Sequence, residues 1–273
     1  VPTSYEIMKS QMQDAFVNVL GKMRFIEFSA GSLSIRQRKE ITTLLPEVQI
    51  YNTWGSSESG GAIFCNVSEV ANDSMKIGTL GKALPYVQVK VIDEEGNAIK
   101  SDAAHPGRMA LKGDMQMIGY WNSPEQTETT LVNGWLLTGD MVYMDEDNYI
   151  YMMGRADDII KVGGENVSPI EVEEISGQYE YIRECACIGV EDPDRILGQI
   201  PVLFIDVKNG YAEKNLIKYL SENMEKYKVP KRFVVVDAIP RNKMQKIDRN
   251  KLREIWDNRE CLGNFIKEKY SKI

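Results

Sequence analysis

A chain of 273 residues with 43% hydrophobic and 27% charged residues has ordinary globular composition and length for two domains or one large one. Its net charge of −7 argues against a general nucleic-acid binder. No apolar run reaches the roughly 20 residues of a membrane span, and four cysteines with one histidine make neither a disulfide framework nor a Cys/His metal centre. Buried structural thiols and a cytoplasmic protein fit this usage. Val1-Pro2-Thr3 has neither an initiator Met nor a leader, which predicts a piece of a longer protein.

Taken in order, residues 5–20 carry Ile7, Met8, Met12, Ala15, Phe16 and Val19 near helical spacing and predict one helix. A strand over 24–28 follows, ending in Ser29-Ala30-Gly31-Ser32. A helix over 35–45, stopped by Pro46, and a strand over 48–52 complete a βαβ-type unit and predict a parallel sheet. Ligands in such sheets sit beyond the carboxyl ends of the strands, where Ser29–Ser32 and the turn Trp54-Gly55-Ser56-Ser57-Glu58-Ser59-Gly60-Gly61 both fall. By itself that turn is a polar loop. It also offers a ring to stack on a base, a hydroxyl for a phosphate and a carboxylate for Mg²⁺.

From 78 to 149 the texture changes to short strands, over 87–92, 108–112, 135–137, 141–143 and 149–153, separated by turn signals. A small antiparallel barrel or sandwich is predicted. Gly78-Thr79-Leu80-Gly81-Lys82 is not a phosphate-binding P-loop, because Ala83 stands where Ser or Thr must hold Mg²⁺. His105 reads as a turn residue.

The organising stretch is Gly154 to Glu173. A strand ends at Gly154, charges follow at Arg155, Asp157 and Asp158, and Lys161 leads into the Gly163-Gly164 pair. Ser168-Pro169 with Glu171 then reads as an N-cap, a Pro at the first helical position and an acid in the first turn. A strand, a charged hinge, a glycine loop and a capped helix suggest two domains meeting over a ligand. Beyond it come a helix over 168–178, strands over 184–190 and 200–207, a helix over 212–227, a strand over 231–236 and a basic helix over 248–256. This order predicts a compact α+β unit.

These motifs carry a resemblance. The Gly154–Glu173 stretch resembles the hinge signature of the adenylate-forming ligases, of the acyl-CoA synthetase type. Trp54-Gly55-Ser56-Ser57-Glu58 is similar to that family's Tyr-Gly-x-Thr-Glu, with Trp54 and Ser57 for the usual Tyr and Thr. Thr138-Gly139-Asp140 resembles its Thr-Gly-Asp. Pro240-Arg241-Asn242-Lys243-Met244-Gln245-Lys246-Ile247-Asp248-Arg249 resembles its closing lysine signature, with Gln245 for the usual Gly. Alone, that basic loop is a solvated surface.

The resemblance implies α/β and α+β architecture. Residues 1–75 are expected to be an α/β remnant of the large AMP-binding domain, 76–155 its β-barrel subdomain, and 156–273 a mobile C-terminal domain. It implies an ATP-dependent acid–thiol ligase that converts a carboxylic acid to an acyl-adenylate and then to a coenzyme A thioester, releasing AMP. Lys246 and Glu58 are the implied catalytic residues, Glu58 also the Mg²⁺ ligand. Ala30, Gly31, Ser32, Asn52, Thr53, Trp54, Gly55, Ser57, Asp140 and Arg155 are the implied nucleotide-binding set. Asp157 is the implied hinge, and Lys161, Gly163 and Gly164 the coenzyme A path. The family's glycine-rich phosphate loop is not in this sequence, so the chain is expected not to form an adenylate alone. A non-catalytic nucleotide-binding module and an adenylation domain loading a carrier protein are the alternatives. Which acid is activated and the oligomeric state are not legible.

Overall fold

The computed structural model describes residues 2–29, 31 and 33–258. The chain divides into two compact units, Val1–Asp157 and Asp158–Ile273.

The first unit begins with α1 (Pro2–Met12) and α2 (Asp14–Leu20), not one helix, because Gln13 takes φ +46° and breaks the backbone ladder. Then come β1 (Phe25–Phe28), α3 (Ile35–Leu44), β2 (Gln49–Ser56), β3 (Gly60–Asn66), the single turn α4 (Val67–Val70) and β4 (Lys82–Ala83). The sheet runs β1-β2-β3-β4 and is parallel only between β1 and β2; β2–β3 and β3–β4 are antiparallel. The expected parallel sheet is therefore mixed. The cause is local: the Ser56 amide donates to Ser59 Oγ at 2.9 Å, while Ser56 Oγ accepts from the Glu58 and Ser59 amides, both at 3.2 Å. These bonds reverse the chain into a hairpin. Helix α3 starts on a capping box in which Ser34 Oγ accepts from the Gln37 amide and the Gln37 side chain accepts from the Ser34 amide.

The second sheet of this unit holds β5 (Val87–Ile92), β6 (Gly107–Gly113), β7 (Leu131–Val132), β8 (Trp135–Met144) and β9 (Ile150–Arg155), all antiparallel, with α5 (Pro124–Thr130) before β7. The two strands expected over 135–137 and 141–143 form one strand, bent where its register shifts against β6 and β9. Ala62 and Ile63 of β3 share a core with Val91, Met109, Leu111, Leu136, Val142 and Ile150, so the two sheets are packed around common residues. His105 is exposed in its turn, its Nδ1 lying 3.1 Å from Asp102 Oδ1.

Arg38 on α3 is only 2% exposed. Its Nε donates to the Leu33 carbonyl at 3.0 Å, Nη1 to the Ile77 and Thr79 carbonyls at 2.8 and 2.7 Å, and Nη2 to Asn52 Oδ1 at 3.1 Å. Asn52 Nδ2 in turn donates to the Phe28 carbonyl at 3.1 Å. One guanidinium thus ties the loop after β1, strand β2 and the approach to β4.

A short 3₁₀ turn, Ala156–Asp158, leads into the second unit. There β10 (Ile160–Val162) and β11 (Glu165–Val167) form a hairpin, followed by α6 (Pro169–Gly177), β12 (Ile182–Glu191), β13 (Gln199–Val207), α7 (Glu213–Asn223), β14 (Arg232–Val235) and α8 (Arg249–Asp257). Ser168 caps α6 by accepting from the Glu171 amide, with Pro169 in the first turn. The sheet β12-β13-β14 has a core on each face. Cys185 and Cys187 point with Leu203 and Ile205 toward Val172 of α6 and Leu216 and Leu220 of α7. Ala186, Ile188, Val202 and Phe204 meet Leu252 and Trp256 of α8. The thiols of Cys65, Cys185 and Cys187 are free and buried, and burial pushes all three up from their ordinary value. Cys261 lies outside the described residues. No helix among the described residues is long and apolar enough to cross a membrane.

Replacing Arg38 by Leu leaves the bonded carbonyls buried without the guanidinium donor and takes from the Asn52 oxygen the nearer of its donors. The unfolding free energy is expected to fall by about 3 kcal/mol, read as a lower urea midpoint at unchanged slope.

Candidate functional site

In the first unit the β2–β3 hairpin presents the candidate residues in a row. Asn52 is buried, and its amide is engaged with Arg38 and Phe28. Thr53 Oγ1 donates to Glu27 Oε1 at 2.7 Å. Trp54 packs half-buried against the core beneath the second sheet, and Gly55 pairs with Gly61 across a register shift. Ser57 is exposed at the tip. Gly31 is half-buried after β1, whereas Ala30 and Ser32 lie outside the described residues.

Glu58 follows Ser57. Its Oε1 accepts from the Tyr120 hydroxyl at 2.9 Å, and its carbonyl accepts from the Met117 amide at 2.7 Å. The Ser56 hydroxyl foremost, then its own backbone amide, Tyr120 and the charge of Arg155, hold the carboxyl below its ordinary 4.5. Burial opposes this and is outweighed. Charge felt from Arg155 puts the hairpin tip in the neighbourhood of the end of β9, 97 residues on by number (155 − 58).

Asp140 on β8 and Arg155 at the end of β9 are paired in register. Arg155 Nη1 donates to Asp140 Oδ1 at 3.1 Å; the Asp140 side chain is 8% exposed and that of Arg155 63%. A Cβ at Gly139 would stand 2.4 Å from Arg155 Nη2, so the guanidinium lies against bare backbone there. A side chain at 139 would push it off the carboxylate. The pair offers acceptors and a mobile planar donor to vicinal hydroxyls.

In the second unit, Asp158 accepts from Arg253 Nη2 at 2.7 Å and lies 3.5 Å from Arg249 Nε. Arg249 also donates to Glu173 Oε1 at 2.6 Å and to the Cys187 carbonyl at 2.8 Å. Asp157, immediately before, is exposed in the 3₁₀ turn at the boundary between the units. Gly163 and Gly164 have φ of +60° and +96° and form the two-residue turn of the β10–β11 hairpin. A Cβ at Gly164 would meet nothing within 4 Å, so within the chain it is backbone conformation that asks for glycine here. The Gly163 amide donates to the Leu197 carbonyl at 2.7 Å, and Asp192 fixes that neighbouring loop by accepting from the Asp194, Ile196 and Leu197 amides. Lys161 is exposed on β10.

Lys246 is exposed on the loop before α8. Asn242 Oδ1 accepts the Lys246 amide at 3.1 Å, the Asn242 amide donates to the Lys246 carbonyl at 2.9 Å, and Arg241 pairs with Glu184. Gln245 takes φ +63°. The loop therefore keeps the left-handed turn that a glycine would adopt freely, at a cost of about 1 kcal/mol.

Two family profiles match the chain: AMP-binding enzyme over residues 1–121, and AMP-binding enzyme C-terminal domain over residues 171–246. The chain belongs to the AMP-binding enzyme family. A 2-succinylbenzoate–CoA ligase of Geobacillus sp. (strain WCH70) is 33% identical over 215 residues, covering 78% of this chain and 42% of that protein. The crystal structure of the anthranilate CoA ligase AuaEII in complex with anthranoyl-AMP has 29% identity and a TM-score of 0.78, over 93% of this chain and 48% of that one. ATP-bound MatB from Rhodopseudomonas palustris has 27% identity and a TM-score of 0.80, over 92% of this chain and 50% of that one. The chain therefore spans about half the length of the proteins it matches, or less. Within this AMP-binding enzyme the two profile matches take in Glu58 and Tyr120 and end at Lys246, whereas Asp140, Arg155 and Asp157 fall in the stretch between them. Arg38 and Tyr120 are the site-supporting residues that sequence reasoning did not single out; Arg249 was read only as the last residue of the lysine signature.

Because the folded value of Glu58 lies below 4.5, the stabilisation of its ionised form is present above 4.5 and lost as pH falls through the lowered value. A carboxyl ¹³C titration is expected to place its midpoint below that of a free glutamate. Ser56→Ala is expected to move the midpoint up.

Proposed function

We propose that this chain supplies the ribose contacts, the metal-binding carboxylate, the hinge and the lysine loop of an ATP-dependent, AMP-forming acid–thiol ligase. The observation that carries the reading is the Asp140–Arg155 pair. A buried carboxylate and an exposed guanidinium in one register, close enough to Glu58 to act on its charge, suit a nucleotide's ribose and phosphates together. The family match and the CoA ligases among the similar proteins support the same chemistry.

In the first half-reaction a carboxylate oxygen of the acid attacks the α-phosphorus of ATP. The α–β P–O bond breaks, and pyrophosphate leaves with the electron pair. Asp140 accepts from the ribose hydroxyls and Arg155 holds the same edge of the sugar, which fixes the α-phosphate against the hairpin tip. Ser57 donates its exposed hydroxyl to that phosphate. Lys246 brings an ammonium to the oxygens on which charge accumulates. In the second half-reaction a thiolate sulfur attacks the acyl carbon, the acyl–oxygen bond breaks, and AMP leaves. The Gly163-Gly164 turn and Lys161 line the approach of the coenzyme A thiol, and Asp157 is the pivot between the two steps.

Mg²⁺ fits Glu58 in one way only. No group of three or more His, Cys, Asp or Glu side chains able to hold a metal occurs among the described residues, but a single ionised carboxylate suits an ion that keeps its waters and binds mainly through substrate phosphates. Such an ion offsets phosphate charge. Relatives named for 2-succinylbenzoate and for anthranilate support a carboxylic acid as the activated group. The free buried thiols fit a reducing, cytoplasmic setting.

Calorimetric titration with a non-hydrolysable acyl-adenylate analogue tests the reading. Micromolar binding is expected, weakened about tenfold or more by Asp140→Ala, as for loss of hydrogen bonds to a charged group. Equal affinity in both proteins would exclude Asp140 as the ribose contact.

A further inference from the structure

We propose that Tyr120 is a positioning residue: its hydroxyl holds the Glu58 carboxylate in an orientation from which the carboxylate reaches a nucleotide-bound divalent cation. The inference rests on the reading of Glu58 as the metal-binding carboxylate.

Glu58 sits in a tight turn in which Ser56 Oγ accepts from the Glu58 and Ser59 amides, and the Ser56 hydroxyl also acts on the Glu58 carboxyl from within the turn. A contact from only two residues away still leaves a half-exposed glutamate on a hairpin tip with rotamers to sample. The remaining restraint comes from a loop 62 residues away, where Tyr120 Oη donates to Oε1 at 2.9 Å. The same loop grips the Glu58 backbone through the Met117 amide, at 2.7 Å from the carbonyl oxygen. Glu58 is thus held at both ends by one segment.

That segment is itself placed by hydrogen bonds. Ile118 and Trp121, on either side of the Gly119-Tyr120 turn, are 101% and 92% exposed, so their burial contributes nothing to it. The Tyr120 amide instead donates to Thr127 Oγ1 on α5 at 2.9 Å, and that hydroxyl donates back to the Ser123 carbonyl at 2.9 Å. The chain of restraint runs from the start of α5 through Thr127 and Tyr120 to one oxygen of Glu58. A hydroxyl donating to an ionised carboxylate makes a strong, directional bond. Mg²⁺ demands near-ideal octahedral geometry, so its binding is sensitive to a carboxylate free to swing.

The test uses the intact protein carrying this chain. Mn²⁺ is the probe, titrated in the presence of ATP and followed by the electron paramagnetic resonance of the free ion. AMP affinity without metal and the melting temperature are measured alongside. Glu58→Gln is expected to weaken nucleotide-dependent Mn²⁺ binding more than about tenfold. Tyr120→Phe, which keeps the ring, is expected to weaken it about three- to tenfold with AMP affinity and melting temperature unchanged. A merely structural tyrosine would move all three quantities together. Should Glu58→Gln weaken the metal and Tyr120→Phe bind it like the natural protein, the positioning role is overturned and the reading of Glu58 stands. Should Glu58→Gln have no effect, both fall.

Discussion

Burying the Arg38 guanidinium takes a permanent charge out of water, and the first unit is arranged around the groups that offset this. Carbonyls of Leu33, Ile77 and Thr79 and the amide oxygen of Asn52 converge on it from three separate segments. Because guanidinium is planar with donors in fixed directions, it sets angles as well as distances among those segments. Strand β2 is one of them. The hairpin that carries Trp54, Ser57 and Glu58 is the direct continuation of Asn52, so the position of the site's carboxylate is referred back, through Asn52, to a cation on α3.

A comparable arrangement governs the second unit. Arg249 at the first residue of α8 is held by Glu173 of α6, the Cys187 carbonyl of β12 and, more loosely, Asp158. Asp158 is the residue after the hinge candidate, and Lys246 lies just before α8. The exposed lysine loop and the turn at the unit boundary are therefore fastened to the same interior cation. A buried pair of this kind is weak support for stability, since desolvation of both charges opposes their attraction. Its value lies in geometry, because the lysine loop and the turn at the unit boundary each lie within a few residues of a fixed point.

Legibility followed how local each signal was. The Ser168 cap, the Pro169 start and the βαβ beginning could be read because capping and proline chemistry act within a few residues. The convergence of Asp140 and Arg155 was implied only by resemblance; their own surroundings left Arg155 as one charge of a hinge. Strand β3 escaped because Ala62 and Ile63 are both buried, so the run lacks the alternation that marks a half-exposed strand. The break at Gln13 carries no glycine or proline to announce it. Asn52 reads as a polar residue near a ligand turn, and its tie to Arg38 depends on a helix passing overhead. The reach of Tyr120 to Glu58 spans two sheets' worth of chain and leaves no trace in either local pattern.

The packing of β3 has a consequence for how such a chain can be cut and rejoined. Ala62 and Ile63 hydrogen-bond within the first sheet and fill the core of the second, while β4, which closes the first sheet, comes only after residue 80. A crossover anywhere between residues 66 and 80 would strand two side chains from the interior they complete and leave the first sheet without its last strand. A crossover after Asp157 divides no core among the described residues, since the residues of each interior lie wholly on one side of it. The boundary before Asp158 leaves these cores whole, whereas the two sheets upstream of it share one interior and belong together.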